Sequence, residues 1–488
     1  MTTPARRPAR LPVGRPARHP VRRLSLPAAR VATALAACAI VLTPYAAQAQ
    51  PQPQAQAQAQ AQPPAGVRAV QQASLVARTP WKLALPLSGA ESTDFYDVTA
   101  TGRSDAWAVG GKSDESWAMT PVAKHWDGTR WTDVPTAGIG GRAARWEAVA
   151  ASGPDDVWAA GTYTDSEIGA AASTPGPLPE GRAADRLPDA LLKRLPAAQA
   201  DRLRAGTALP EAADPIVLQH WDGTRWTSVA RPAPAEGSLR FVLELESVSA
   251  DSVWLTTMDW NPTADPADPD KAYSGQLEHW DGRKWSRTAL PEAPDGRPVQ
   301  PFSITGTGPD DVWVSALTET GAVATPLLYH FDGRRWTVRT VPVPFAYDPG
   351  WVANHAVSAR RGTVHVFGKT NDPQVPSGLL AMRWDGRTWK ELPVPGVDEV
   401  NASGSDGSGG VWVAGWRPRG SAHTVFSRWD GATWTEEELP GELTSTSEGS
   451  TVFDIEGVPG TRAVLAAGNA ACESPTGACG LLAARGLR

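Results

Sequence analysis

The sequence predicts an all-β fold: a ring of seven four-stranded sheets, closed by a strand from its N-terminal side and carrying a partly helical insertion in the second sheet. Three observations predict it. A tryptophan-acid-glycine mark recurs at Trp126, Trp221, Trp280, Phe331, Trp384 and Trp429, with spacings of 95, 59, 51, 53 and 45 residues. A period of about 50 with one large insertion is the signature of ringed or stacked repeat units. Tryptophan also outnumbers the other aromatics, 22 against 8 Phe and 6 Tyr, as when one residue is stamped into a repeated unit. Finally, seven second-strand segments are matched by only six fourth strands at the far end of each unit, and a lone fourth-strand segment stands ahead of them all at Thr79 to Pro86.

Taken in chain order, residues 1–49 read as an export signal. They hold eight Arg, no Lys and no acid, with an apolar core from Val31 to Leu42 and the A-x-A pattern Ala47-Gln48-Ala49. An apolar run of about 12 residues is shorter than the ~20 a membrane span needs. The alternative, a lipid anchor on Cys38 in Leu35-Ala36-Ala37-Cys38, puts the cysteine inside the apolar core. Arg22-Arg23 is a weak twin-arginine signal, its following apolar pair broken by Ser25. Residues 50–78 form a Gln/Ala/Pro-rich tract with nothing to bury, which predicts a disordered tether.

Each repeat then reads as four short strands. The first is an apolar-polar alternation such as Trp146 to Ala151, and the second begins at V-W-x-x-G, as in Val157-Trp158-Ala159-Ala160-Gly161. The third ends in His-Trp, and the fourth opens on the second Trp of the heptad H-W-D-G-T-R-W, His125 to Trp131 and again His220 to Trp226. Between the last two strands, Asp-Gly supplies the left-handed backbone of a tight hairpin, and Pro-Asp-Asp before the second strand is also turn chemistry. Second strands lie around Trp107, Trp158, Trp254, Trp313, His365, Trp412 and Leu465. Fourth strands are led by Trp131, Trp226, Trp285, Trp336, Trp389 and Trp434, so Trp81 must lead the seventh, and pairing it with the last unit leaves no long exposed edge. Residues 79–488 are therefore read as one seven-bladed β-propeller.

The paired V-W-x-x-G and W-D-G-x-x-W marks resemble the tectonin-like and kelch-like families of propeller repeats, particularly secreted bacterial proteins with V-W-A-V-G and H-W-D-G-x-x-W units. The Gly-His mark of WD40 repeats is absent. The resemblance covers nearly all of residues 79–488, and it implies a propeller with an extracellular binding role, since tectonins often bind glycans. Fold alone does not fix function.

Charge narrows the partners. Without residues 1–49 the formal charge moves from -6 to -14, which argues against a phosphate-binding surface and so against nucleic acid. Cys472 and Cys479, seven apart in a loop of an exported chain, suit a disulfide better than a metal site, which wants four ligands. No cofactor is expected, and the chain is expected to act as a monomer. Four of the histidines, at 125, 220, 279 and 330, are copies of one repeat position and read as structural; His365 replaces a repeat Trp. No G-x-S-x-G elbow, zinc spacing or phosphate loop occurs, nor the copper set of the kelch-fold galactose oxidase.

The site is expected on the face carrying the second-to-third and blade-to-blade loops, which vary in length and chemistry while the opposite loops repeat. Seventeen tryptophans occupy repeat positions, and the five left over, Trp117, Trp146, Trp260, Trp351 and Trp416, all map to the variable side. Such rings either stack on a ligand or anchor loops. Glu147 and His355, at first-strand starts, complete the candidate set. The insertion at about 165–214 has leucines at 187, 191, 192 and 195, a helical spacing, and reads as a lid or a decoration. Asp94, Glu147, Glu244 and Glu246 offer an acid-base pair across the channel, as in glycoside hydrolases; Asp259, Asp265, Asp268 and Asp270 offer oxygen ligands but lack the glycine of a calcium loop. The chain thus reads as an extracellular, non-enzymatic binder of a glycan or protein, with a polysaccharide-acting enzyme and a purely structural scaffold as alternatives.

Overall fold

The computed structural model describes residues 81–88, 92–113, 119–136, 139, 143–163, 216–233, 239–260, 273–320, 323–343, 352–369, 379–416, 424–440, 449–472, 474 and 477–487. The expected leader, the Gln/Ala/Pro tract and the insertion at about 165–214 lie outside these residues. Among the described residues every strand belongs to one of seven antiparallel four-stranded sheets, and there is no helix. The fold is a seven-bladed β-propeller. Its innermost strands, in blade order, are Ser92–Gly102, Ala144–Gly153, Leu239–Ser249, Val299–Gly308, Val352–Arg360, Glu399–Ser405 and Ser450–Gly457. The last blade takes its fourth strand from the other end of the chain: Lys82–Leu83 pairs with Ala478–Arg485, Lys82 opposite Ala484.

The repeated heptad builds this ring. Asp127 Oδ1 accepts the backbone N–H of Thr129 and Arg130 at 2.8 and 2.9 Å, and Gly128 takes φ 91°, so Asp-Gly makes the hairpin its sequence predicts. The Thr129 hydroxyl, which donates to the same oxygen at 2.6 Å, and these N–H bonds hold the exposed Asp127 carboxyl down at about 2. In three blades the second tryptophan of the heptad stands edge-on to the second-strand tryptophan of the preceding blade: Trp226 to Trp107 at 5.5 Å, Trp285 to Trp158 at 5.4 Å, Trp336 to Trp254 at 5.4 Å. Trp81 completes the series against Trp412 at 5.5 Å and stacks on Phe426 at 4.0 Å. Four of the seven seams between blades thus repeat one aromatic contact, in the T-shaped geometry that ring quadrupoles favour.

The heptad histidine is a strut. His125, His220 and His330 reach Asp105, Asp156 and Asp311 at 2.7, 2.6 and 2.9 Å, while the ring of each lies against a second-strand tryptophan. Pro-Asp-Asp, expected as turn chemistry, therefore does more: its second Asp crosses to the next strand. Burial pushes Asp156 and Asp311 up, but their histidine and hydroxyl bonds outweigh it and leave both below the usual carboxylate range.

All seven inner strands break register near their start. In four of them a single extra residue, Tyr96, Glu147, Leu243 or Phe453, is a bulge lining the axial cavity. The glycine of V-W-x-x-G explains how the partner strand fits there. Gly110 and Gly161 sit opposite Phe95 and Trp146, just before the bulge, where a Cβ would run into the carbonyl oxygens of Asp94 and Arg145.

Candidate functional site

The inner strands enclose a cavity of about 200 Å³ on the propeller axis. Register fixes its polarity. Ser92, at the start of the first inner strand, pairs with Ser113, the last residue before a second-to-third loop, so these strands start at the variable face. The bulged residues Tyr96, Glu147, Leu243 and Phe453 consequently lie toward that mouth.

At the mouth, Tyr96 and Phe453 are nearly parallel, 5.6 Å between centroids and 20° between planes. The Arg145 guanidinium sits 5.3 Å over the Tyr96 ring and holds Glu147 Oε1 from Nε and Nη2 at 2.9 and 2.6 Å. Thr162 donates to the other Glu147 oxygen at 2.6 Å, and Asn469 Nδ2 donates to Asp94 at 2.8 Å. Burial pushes the Asp94 carboxyl up. The disulfide Cys472–Cys479, with Cα atoms 5.8 Å apart, closes the second-to-third loop of the seventh blade on the same face.

Below the mouth the wall carries Asp97, Glu244, Glu246, Asp454 and Glu456 and, among the described side chains, no Lys, Arg or His. Most of these acids tie blades together. The N–H of Val149 in the second blade donates to Asp97 Oδ2 at 2.7 Å, that of Val98 to Asp454 Oδ2 at 3.3 Å, and that of Ile304 to Glu244 Oε2 at 3.1 Å. In the fifth blade the Ala356 N–H donates instead to Ser303 Oγ, at 3.1 Å. Each bond runs from one inner strand to the next, satisfying an N–H at the register break. Burial raises Glu244 and Glu246 to about 8 and pushes Glu456 well up, against weaker lowering by backbone N–H donors. Among the described residues no group of three or more His, Cys, Asp or Glu is placed to hold a metal ion, and no helix is long and apolar enough to cross a membrane.

Of the residues the sequence singled out, Glu147 reaches the cavity, joined there by Glu244 and Glu246 from the acid-base set. Trp146 is a correction: it is 0% exposed and packs 6.3 Å from Trp226 between the first two blades, because strand alternation turns it away from the axis just before the bulge. Trp416 ends the second strand of blade six, half-buried, its indole N–H enclosed without a hydrogen-bond acceptor. Trp260 and His355 are placed by backbone alone, opposite Leu239 and Phe367. Trp117 and Trp351 lie outside the described residues, as do Asp265, Asp268 and Asp270. Sequence reasoning missed Tyr96, Asp97, Phe453, Asp454 and Glu456. A signal existed: Asp97 and Glu244 stand ten residues before the second-strand Trp107 and Trp254, as Ser303 does before Trp313.

No family model and no curated protein sequence matches the chain. Among solved structures it is similar to a protein of unknown function from Dyadobacter fermentans, at 10% identity and TM-score 0.45 over 84% of this chain and 98% of that one. It is also similar to the fucose-specific lectin of Aleuria aurantia, at 12% identity and TM-score 0.35 over 70% and 95% of the two chains. The NanB sialidase of Streptococcus pneumoniae follows at 10% identity and TM-score 0.37 over 83% and 70%. No ligand or activity is carried over from any of them.

Proposed function

We propose that the protein is an exported binding protein that takes a glycan at the variable-face mouth of its axial cavity. One observation carries this reading: register breaks in four inner strands present Tyr96, Phe453, Leu243 and Glu147 together at the mouth of one concave site. Aromatic faces beside a positioned carboxylate and amide suit sugar rings, whose C–H faces stack while their hydroxyls pair with polar groups. Export, with residues 1–49 as leader, is supported by the Cys472–Cys479 disulfide, a bond that persists in oxidising compartments.

The purified protein, labelled and applied to an array of bacterial and plant glycans, is expected to bind at least one structural class, and Tyr96→Ala is expected to weaken that binding by tenfold or more. An array without signal, or a Tyr96→Ala protein that binds as the parent does, overturns the reading.

A polysaccharide-acting hydrolase or lyase is favoured by a different observation, the carboxyls of Glu244 and Glu246 held at about 8 on one cavity, where a general acid would be poised. It requires turnover that Glu244→Gln abolishes. The inter-blade bond from Ile304 to Glu244 supports a structural role for that carboxyl instead.

A further inference from the structure

We propose that Asp97 and Asp454 form a proton-held latch between the first and seventh blades, and that this latch sets the spacing of Tyr96 and Phe453; the second part rests on reading the mouth as the ligand site. The residues are consecutive pairs, Tyr96-Asp97 and Phe453-Asp454, each a bulge followed by a carboxyl. They flank the place where the ring closes, because the seventh blade is the one completed by Lys82–Leu83.

The two carboxyl groups meet at one backbone N–H. Asp97 already accepts with both oxygens, Oδ1 from its neighbour Val98 N–H at 2.7 Å and Oδ2 from Val149 N–H at 2.7 Å, while Asp454 Oδ2 shares the Val98 N–H at 3.3 Å. Asp97 Oδ1 and Asp454 Oδ2 thus converge on one N–H, which sets the two carboxyl groups face to face. Ionised carboxylates only accept, so the two can hydrogen-bond to each other only while one of them keeps a proton. When it leaves, two like charges face each other across the closure, as in any carboxyl dyad.

Among the described side chains the surroundings do not neutralise them. Glu456 faces the pair from the strand of Asp454, Glu147 from the second blade, and Glu244 and Glu246 from the third; the described wall residues of the fourth, fifth and sixth blades are the uncharged Ser303, Ala356, Ala402 and Ser403. The cation described at the mouth, Arg145, is bound to Glu147, with Asp94 adding its charge to that cluster. Burial, and for Asp97 also the charge of Asp454, pushes both aspartates above their ordinary value of 3.8.

The folded pair therefore binds its proton more tightly than the unfolded chain. Its contribution is complete below the unfolded value and is lost as pH rises through the folded one. The latch is closed in acid and opens toward alkaline pH.

Hydrogen exchange on the unliganded full chain tests this, at pH 6 and pH 9, with rates corrected for intrinsic pH dependence. The Val98 and Val149 amides are expected to lose protection by about tenfold, the change that one pKa unit of proton affinity carries. Ala463 is the internal control, since its N–H donates at 2.9 Å to the Thr461 hydroxyl, which does not titrate in this range. Asp97→Asn keeps an acceptor for Val149 and supplies a permanent N–H toward Asp454, so it is expected to abolish the pH dependence while retaining protection; Asp454→Asn is the second variant should the first not fold. Equal loss at Ala463, no loss at Val98 and Val149, or a pH dependence that survives the amide substitution overturns the latch. Because no ligand is present, an inert glycan array leaves this result standing and removes only the link to binding.

Discussion

His365 shows what a single departure from the repeat costs. It occupies the position that holds tryptophan in five other blades, is 3% exposed, and its ring nitrogens make at most a weak approach to the Val357 backbone. Burial first, then the Arg383 charge, hold it down at about 3, so the folded protein keeps it neutral. The unfolded chain takes up a proton near the ordinary value of 6.5, so stability from this residue is complete above that pH and is lost as pH falls toward 3. His365→Phe removes both the poorly satisfied nitrogens and this slope. It is expected to raise stability by about 1 kcal/mol at pH 7, the low end of the cost of an unsatisfied buried group, and by more at pH 5. Urea midpoints at the two pH values check it; an unchanged gap between them contradicts the assignment. The substitution of His for Trp and the burial it implies were both visible in the sequence, and the residue is buried; the lack of partners for its ring nitrogens was not, because that depends on the strands packed around it.

Among the elements, the closing strand concentrates the most in the least chain. Lys82–Leu83 contributes a two-residue ladder, yet Trp81 before it is 1% exposed against Trp412 and Phe426. Most of the closure energy is therefore aromatic packing rather than hydrogen bonding, and Trp81→Ala is expected to cost about 3–5 kcal/mol, as for large aromatic truncations in a core. Guanidinium unfolding checks this; a loss under 1 kcal/mol would mean the ring closes by other means. The strand was legible because Thr79 to Pro86 repeats the form of the six fourth strands. The bulges were not. An extra residue leaves alternation on either side intact but inverts which residues face the axis, so Trp146 was placed toward a ligand when it packs between blades, and Tyr96 and Phe453 went unnoticed. Beside three of the four bulges a glycine, Gly110, Gly161 or Gly468, was read as part of a motif rather than as the room the bulge needs.

For the molecule as a whole, the ring and its number of blades followed from a count of strands, since period and turn chemistry are local properties. The cavity did not, because it is assembled from seven strands separated by tens of residues, each contributing between one and five wall positions. Its charge has a global consequence. Asp97, Glu244, Glu246, Asp454 and Glu456 are all raised by burial, so the folded protein holds more protons than the unfolded chain, and these groups make stability fall as pH rises from the ordinary carboxylate range through about 8. Thermal melting between pH 5 and pH 9 is expected to show that decline, and a flat or rising profile contradicts it.

The heptad that dominates the sequence is a structural seam, and the proposed ligand site lies at the bulged mouth of the axis. The most direct test is calorimetric titration of the glycan class selected on the array into three proteins side by side: the parent, Glu147→Gln at the mouth, and Asp127→Ala in the first heptad turn. The account predicts tenfold or greater loss of affinity for Glu147→Gln and parental affinity for Asp127→Ala. Loss of binding in Asp127→Ala with parental affinity in Glu147→Gln would contradict it.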